Sequence, residues 1–489
     1  MNALEQNRMK RIKTAVLGVT LFSTLGVSAA DAFRAGAAKG NITPELGGKI
    51  AGSFKPFPAA HVHDDLWVRA VVLDDGKTRV ALAVCDLIGI SQEVSDKARQ
   101  LVQEETGLPA RNLLVAATHT HSATSAGRSR NFSEEEFEMD EYQKFVTRRI
   151  ADTVRCAVNN LAPAQIGWGA ASEPRHVFNR RWHMKPGTVP TNPLGGTNDA
   201  VLFNPGHRNP NKIKPAGPTD PEICFFALQT PEGRPLALFA NYSLHYVGGV
   251  RRADISADYF GMFNDRIQQL LSADRQSPPF ISILSNGSSG DINNIDFSKE
   301  HQKMPPYAKM RIVANDVAEK VHAAYRELKW HDHATIGAAF EEIELKLRKP
   351  TSEQLALAET FFAEQKKTPK PKLVHPLQPN YAHRTMRQDR APATWKFPLQ
   401  TLRIGDVGIS CIPFEVFCEI GLELKQRVPF KPSFTVELAN GSYGYLPTPR
   451  QHALGGYETW LGTNRVETDA STKIVDRLLE MFTRLQKGE

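Results

Sequence analysis

The sequence predicts an α/β protein, a mixed sheet flanked by helices, with its site at the carboxyl ends of the strands. Two observations lead there. Apolar runs rich in β-branched residues alternate along the chain with segments of helical periodicity. Five of those runs end in polar groups suited to chemistry: Asp86, His119 with His121, His245, the stretch 286–291, and Glu415. Ligands of α/β sheets bind at the carboxyl ends of strands, so endings far apart in sequence can collect in one crevice.

The 489 residues carry a formal charge of +7, with Lys and Arg spread along the chain rather than packed into a block with interleaved aromatics. Nucleic acid is therefore not an expected partner. At the N-terminus Arg8, Lys10, Arg11 and Lys13 precede an apolar run, Thr14 to Val27, and then the small residues SAADA. This reads as a signal peptide over residues 1–32, too short in its apolar part for a comfortable membrane span, and predicts export to a periplasmic or extracellular space. Five scattered cysteines make no disulfide framework and contain no C-x-x-C pair.

From residue 33 onward the chain is expected to form one catalytic domain. Asp75-Gly76 marks a hairpin turn between two β-branched runs, and Ser91 caps a helix to Glu105. His63 and Asp64, just before the first of those strands, read as structural residues or as supports behind a ligand rather than as ligands. The run Leu113 to Ser122, LLVAATHTHS, reads as a strand in which alternation would point His119 and His121 to the same side. Ser133 to Glu136 opens a helical region that continues to Asn160, and Gln165 to Ala171 is a strand. The stretch 176–222, rich in Gly, Pro and Asn, predicts a long loop, either a functional lid or binding loop or a disordered segment, in which Arg180 and Arg181 are either exposed loop charge or a clamp for a carboxylate or oxyanion.

Strands at Ile223 to Gln229 and Pro235 to His245 follow, then a helix at Tyr259 to Ser272 and a strand ending in SNGSSGD. A helix from Pro306 to Trp330, a strand at Thr335 to Leu347 and a helix at Ser352 to Gln365 lead into residues 366–393, a basic, proline-containing insertion without a readable pattern. Strands at Trp395 to Ile404 and Val407 to Pro413 place Glu415 at a strand-to-helix junction. A strand in SFTVELANGSYGYLP, a Gly-rich loop holding Tyr457 and an amphipathic helix close the chain. No internal repeat is visible.

His119, His245 and Glu415 would supply two imidazoles and a carboxylate, the ligand mix of a catalytic zinc that keeps one position open. Nitrogen donors favour zinc over calcium or magnesium. Taken one at a time, each residue could equally be a hydrogen-bonded core group.

These segments resemble the catalytic domain of the neutral (alkaline, non-lysosomal) ceramidases. The resemblance rests on Gly40-Asn41-Ile42-Thr43-Pro44, the VRAVVLDDG hairpin, ATHTHS, the ANYSLH strand end, SNGSSGDIN and the segment around Tyr445, in that order. It implies a zinc amidase that cleaves an N-acyl bond of ceramide or a related lipid, with one zinc held by His119, His245, Glu415 and Tyr445. It implies His121 for proton transfer, Arg180 and Tyr457 at the reacting carbonyl, an N-acyl small molecule or lipid as partner, and transient contact with a membrane surface.

Two departures stand out. Asn293 occupies the position at which the family carries a serine, so it can orient substrate but cannot serve as a nucleophile. The sequence also ends one helix after Tyr457, short of the family's immunoglobulin-like domain. Two other readings therefore stand beside the amidase: a zinc hydrolase of a different amide, ester or N-acyl sugar, and a non-catalytic exported binding protein that keeps the fold.

Overall fold

Three times along the chain the same sequence of elements recurs: strand, hairpin, helix, parallel strand and a second helix. The structure is a computed structural model, and it describes residues 32–52, 55–127, 132, 137–368 and 370–488. The signal-peptide expectation lies outside these residues, apart from its last position. No helix among them is long and apolar enough to cross a membrane.

The first unit takes its strands from Arg34–Asn41, Trp67–Asp74, Arg79–Cys85 and Leu113–Ala117; the second from Gln165–Ser172, Glu222–Gln229, Pro235–Tyr242 and Ile281–Asn286. The third uses Ile336–Lys346, Thr394–Ile404, Val407–Ile412 and Ser433–Glu437. In every unit the spatial order follows the chain, the first three strands pair antiparallel, and the fourth lies parallel to the third after a helical crossover. The crossover helices are Gln92–Thr106, Asp258–Leu270 and Cys418–Arg427. Glu141–Asn159, Ala308–Tyr325 and Ala470–Lys487 complete the three pairs. The repeat is one of topology, which a search for repeated residues does not see.

One face of all three sheets meets in a shared core that includes Leu82, Leu114, Phe226, Phe239, Leu402 and Phe434. The other face of each sheet is covered by its own helix pair, for example Val94 and Ile150 over the first, Phe263 and Val317 over the second, Leu424 and Leu478 over the third. Strands buried on both faces read as continuous apolar runs, which is why AVVLD and ALAVC carry no alternation. Truncating one fully buried leucine here, such as Leu82, costs about 2–5 kcal/mol.

Local chemistry sets the boundaries. Ser91 accepts from the Val94 amide, and Gly107, at φ 71°, closes the same helix in a conformation that favours glycine. Helix Glu141–Asn159 starts later than its acidic lead-in suggests. Asp140 and Gln143 form a capping box, and residues 137–140 are not helical, while Ser133 to Glu136 lie outside the described residues.

The sequence expectations need correction at three further places. The histidine strand ends at Ala117, and His119 has φ 67°, so the two histidines do not meet by strand alternation. The stretch 176–222 is not one long loop, because Arg181–Met184 pairs with Val201–Phe203 on one side and Lys212–Pro215 on the other. Within residues 366–393 a helix, Gln378–Arg390, packs on helix Ser352–Lys367 through Phe362 and His383.

Candidate active site

In each unit the third and fourth strands run parallel, so both deliver their carboxyl ends to the same side of the sheet. Those six ends carry Asp86 and His119, His245 and Ser289, and Glu415 and Glu437 at or just beyond them. Asp86 is the exception: fully buried, it accepts from Arg69 Nη1 (2.5 Å) and the Trp67 amide (3.0 Å) and does not reach the cavity. Asp64 likewise serves the fold, accepting from the Ala257 amide at 2.7 Å.

His119, His121 and His245 turn their rings into one cluster. His119 Nε2 lies 3.1 Å from His121 Nε2 and 3.4 Å from Glu415 Oε2, which is 3.9 Å from His245 Nε2. Every Nδ1 has a backbone carbonyl within reach: Ile88 for His119 at 2.6 Å, Gly52 for His121 at 3.0 Å, and Ser289 for His245 at 3.1 Å. A carbonyl only accepts, so each Nδ1 carries a proton, and each Nε2 is turned toward the shared centre. His121 is further fixed by stacking on Tyr246, ring centroids 3.7 Å apart.

Two buried atoms here have no hydrogen-bond partner, His245 Nε2 and Glu415 Oε2. Orphaned acceptors converging with two further imidazole nitrogens fit a divalent cation of zinc's kind. Such a donor set is costly without positive charge, and the electrostatics reflect it. Burial, together with the charge of His119, holds His121 and His245 well below the usual histidine range. Burial works against a charged His119 too, but the Glu415 carboxylate outweighs it and raises that pKa. Burial likewise pushes Glu415 up, and His119 brings it down below its ordinary value.

Tyr445 pairs with Glu415 through a short parallel bridge, which sets its phenol in the cavity wall beside Glu415 and Arg180. Arg180 sits 5.3 Å from the Tyr445 ring centroid, donates from Nε to Glu458 Oε1 (3.0 Å) and from Nη2 to the Gly290 carbonyl (2.8 Å). Arg180 and Arg181 are both buried, which rules out the exposed-charge reading; Arg180 faces the cavity, and Arg181 braces its wall through Glu458 Oε2 at 2.7 Å. Tyr457 stands against Tyr445, with ring centroids 5.8 Å apart.

A cavity of about 770 Å³ is lined by His119, His121, Arg180, His245, Glu415, Tyr445 and Tyr457. Asn293, the eighth residue picked out in the sequence, is not among its lining groups. It lies one layer behind, donating from Nδ2 to Asn204 Oδ1 at 2.8 Å, and Asn204 lines the cavity. Beneath the histidines Glu437, pushed by burial up to about 8, accepts from Ser289 Oγ and the Val416 amide.

Sequence reasoning missed Glu437, Glu458 and the cavity residues His383, Arg384, Arg387 and Arg465. Glu458 adjoins Tyr457 and ends no apolar strand, whereas the arginines come from the insertion and from the stretch after the Gly-rich loop, where no pattern singled them out.

No family model matches the chain, and no curated protein sequence matches it. Among solved structures it resembles the neutral ceramidase from Pseudomonas aeruginosa, with a TM-score of 0.66 over 93% of this chain and 75% of that one at 16% sequence identity. It resembles a ceramidase complexed with C2 over the same shares of the two chains, with a TM-score of 0.65 at 15% identity. The three-sheet architecture, with the carboxyl ends of its parallel strands gathered on one cavity, is the fold of the neutral ceramidases.

Proposed function

We propose that the protein is an exported, zinc-dependent amide hydrolase that cleaves an N-acyl bond, in ceramide or a related N-acyl compound. The observation that carries this reading is that Glu415 Oε2 lies 3.4 Å from His119 Nε2 and 3.9 Å from His245 Nε2 in the cavity wall, with His121 Nε2 3.1 Å from that of His119. His119, His245, Glu415 and Tyr445 would hold the zinc. What zinc contributes when bound is Lewis acidity, polarising an oxygen and letting water ionise near neutral pH.

The chain's own residues would do the rest. His121 keeps its Nε2 lone pair toward the cavity because Nδ1 is engaged with Gly52, so it can take a proton from the attacking water and return it to the leaving nitrogen. Arg180, anchored on Glu458 and Gly290, and the Tyr457 hydroxyl would donate to the carbonyl oxygen as it gains charge. Asn293 would act at one remove, by holding Asn204.

The experiment is elemental analysis of the purified protein and of His245→Ala, alongside a panel of N-acyl lipids, N-acyl sugars and esters. About one zinc per chain in the wild type, lost together with hydrolysis in the variant, supports the reading. Hydrolysis at the wild-type rate in a verified zinc-free preparation would overturn it.

A further inference from the structure

One buried carboxylate beneath the histidine cluster has no part in the amide chemistry. Glu437 is the last residue of strand Ser433–Glu437 and is fully buried. Its Oε1 accepts from Asn286 Nδ2 at 2.8 Å and from Ser289 Oγ at 2.7 Å. Its Oε2 accepts from the Ser289 amide at 3.2 Å and from the Val416 amide at 2.8 Å. Ser289 follows the last strand of the second unit and Val416 belongs to the third, so this side chain joins two units where their strands end.

Both connections lead to groups of the candidate metal centre. The Nδ1 of His245 stands 3.1 Å from the Ser289 carbonyl oxygen and 3.2 Å from Ser289 Oγ. That hydroxyl gives its proton to Glu437, so a lone pair is what it turns toward His245. His119 and His121 are held at Nδ1 by the carbonyls of Ile88 and Gly52; among the described residues of the cluster, only His245 has a hydroxyl and a carboxylate behind it. On the other side, Val416 follows Glu415 directly, and its carbonyl accepts from the Gly290 amide at 2.8 Å while its amide donates to Glu437. The backbone that carries Glu415 is therefore held by both of its next polar groups. His245 Nε2 and Glu415 Oε2 are also the two atoms of the cluster that have no hydrogen-bond partner. Acceptors with nothing to bind stay aimed at one centre only if their supports hold them there.

We propose that Glu437 is a positioning residue for the metal: through Ser289 it aims His245, through the Val416 amide it aims Glu415, and so it sets how tightly the centre holds a divalent cation. This rests on the metal reading of the cluster and not on which bond is cleaved. A glutamine at this position keeps a single acceptor oxygen. Its NH₂ group then faces either the two amides, which also donate, or the Ser289 hydroxyl, whose proton it turns toward His245.

The test measures zinc Kd on chelator-stripped protein, by competition with a chromophoric chelator, for the wild type, Glu437→Gln, Ser289→Ala and Leu82→Ala. Cobalt(II) put in place of zinc reports the ligand geometry through its visible absorption. Expected is a rise in Kd of about ten- to a hundred-fold for Glu437→Gln, with an altered cobalt spectrum. Ser289→Ala removes one hydrogen bond to His245 and keeps the carbonyl, so its Kd should rise by about three- to ten-fold. Being the milder change, it carries the test where Glu437→Gln does not fold. Leu82→Ala, in the shared core, controls for general loss of stability: it should lower the urea midpoint and leave Kd within about two-fold of the wild type. Unchanged Kd and cobalt spectra in both site variants, or an equal rise in Leu82→Ala, overturn the role of Glu437 and leave the metal centre standing. A wild type that binds neither zinc nor cobalt overturns both.

Discussion

Glu458→Gln removes one negative charge from between two guanidiniums while keeping nearly the same volume. Glu458 is fully buried; its Oε1 accepts from Arg180 Nε at 3.0 Å and its Oε2 from Arg181 Nη1 at 2.7 Å. The other donors of Arg181, also fully buried, go to neutral acceptors, the Gln451 side chain and the carbonyls of Gln451 and Gly455. The variant therefore leaves a buried cation without its counter-charge and turns an amide NH₂ toward a guanidinium. Breaking a buried pair from one side costs about 3–5 kcal/mol, and because glutamine keeps one acceptor oxygen we expect the lower end, about 3 kcal/mol. Urea unfolding followed by tryptophan fluorescence measures it as a fall in midpoint at unchanged slope. Adding Arg181→Met should recover at least about 1 kcal/mol, since the second change removes the orphaned charge. A loss below about 1 kcal/mol, the range of an exposed ion pair, would refute the reasoning that these charges are sealed from water.

The other predictions concern the site and its surroundings. Asp291, pushed up to about 6 by burial, holds its proton more tightly folded than unfolded. Its contribution to stability is thus present below the ordinary carboxyl range and is lost as the pH rises from about 4 to about 6. The stability of the wild type relative to Asp291→Asn should fall by up to about 3 kcal/mol across that window; a flat difference in pH-dependent unfolding would contradict it. At Gly52 a Cβ would sit 1.9 Å from the His121 carbonyl oxygen. Gly52→Ala should then displace His121 and lower kcat by about a hundred-fold, with the metal retained on elemental analysis. Tyr457→Phe and Arg180→Gln should each lower kcat by about a hundred-fold or more, because both would face the reacting carbonyl. Asn293→Ala should cost less than about ten-fold, acting only through Asn204; the reverse order in steady-state kinetics would reassign the roles.

Much of the candidate site was legible because strand ends are legible. LLVAATHTHS, ANYSLH and PFEVF each pair an apolar run with a polar terminus, and those termini do line one cavity. The local reason given for His119 and His121 was nevertheless wrong. They meet because the chain leaves the strand at Thr118 and His119 takes a left-handed backbone conformation, which neither residue type announces. Asp86 has the same signature as its neighbours and is consumed by Arg69, a partner on the adjacent strand that only pairing identifies. The stretch 176–222 looked like a loop because three short strands interrupted by Gly and Pro carry too little periodicity to register.

The sequence by itself determined the periodic elements, the polar residues at the strand ends, and a donor set of imidazoles with a carboxylate. These follow from side-chain alternation and from residue chemistry, both local. Which ends meet was decided only by the tertiary structure. Three copies of one topology share a core, and the parallel pair in each sends both its carboxyl ends to the same side. The same assembly brought Arg384 and Arg465, 81 residues apart in sequence, into one wall. Long-range packing sets such proximities, and no property of either segment alone encodes them.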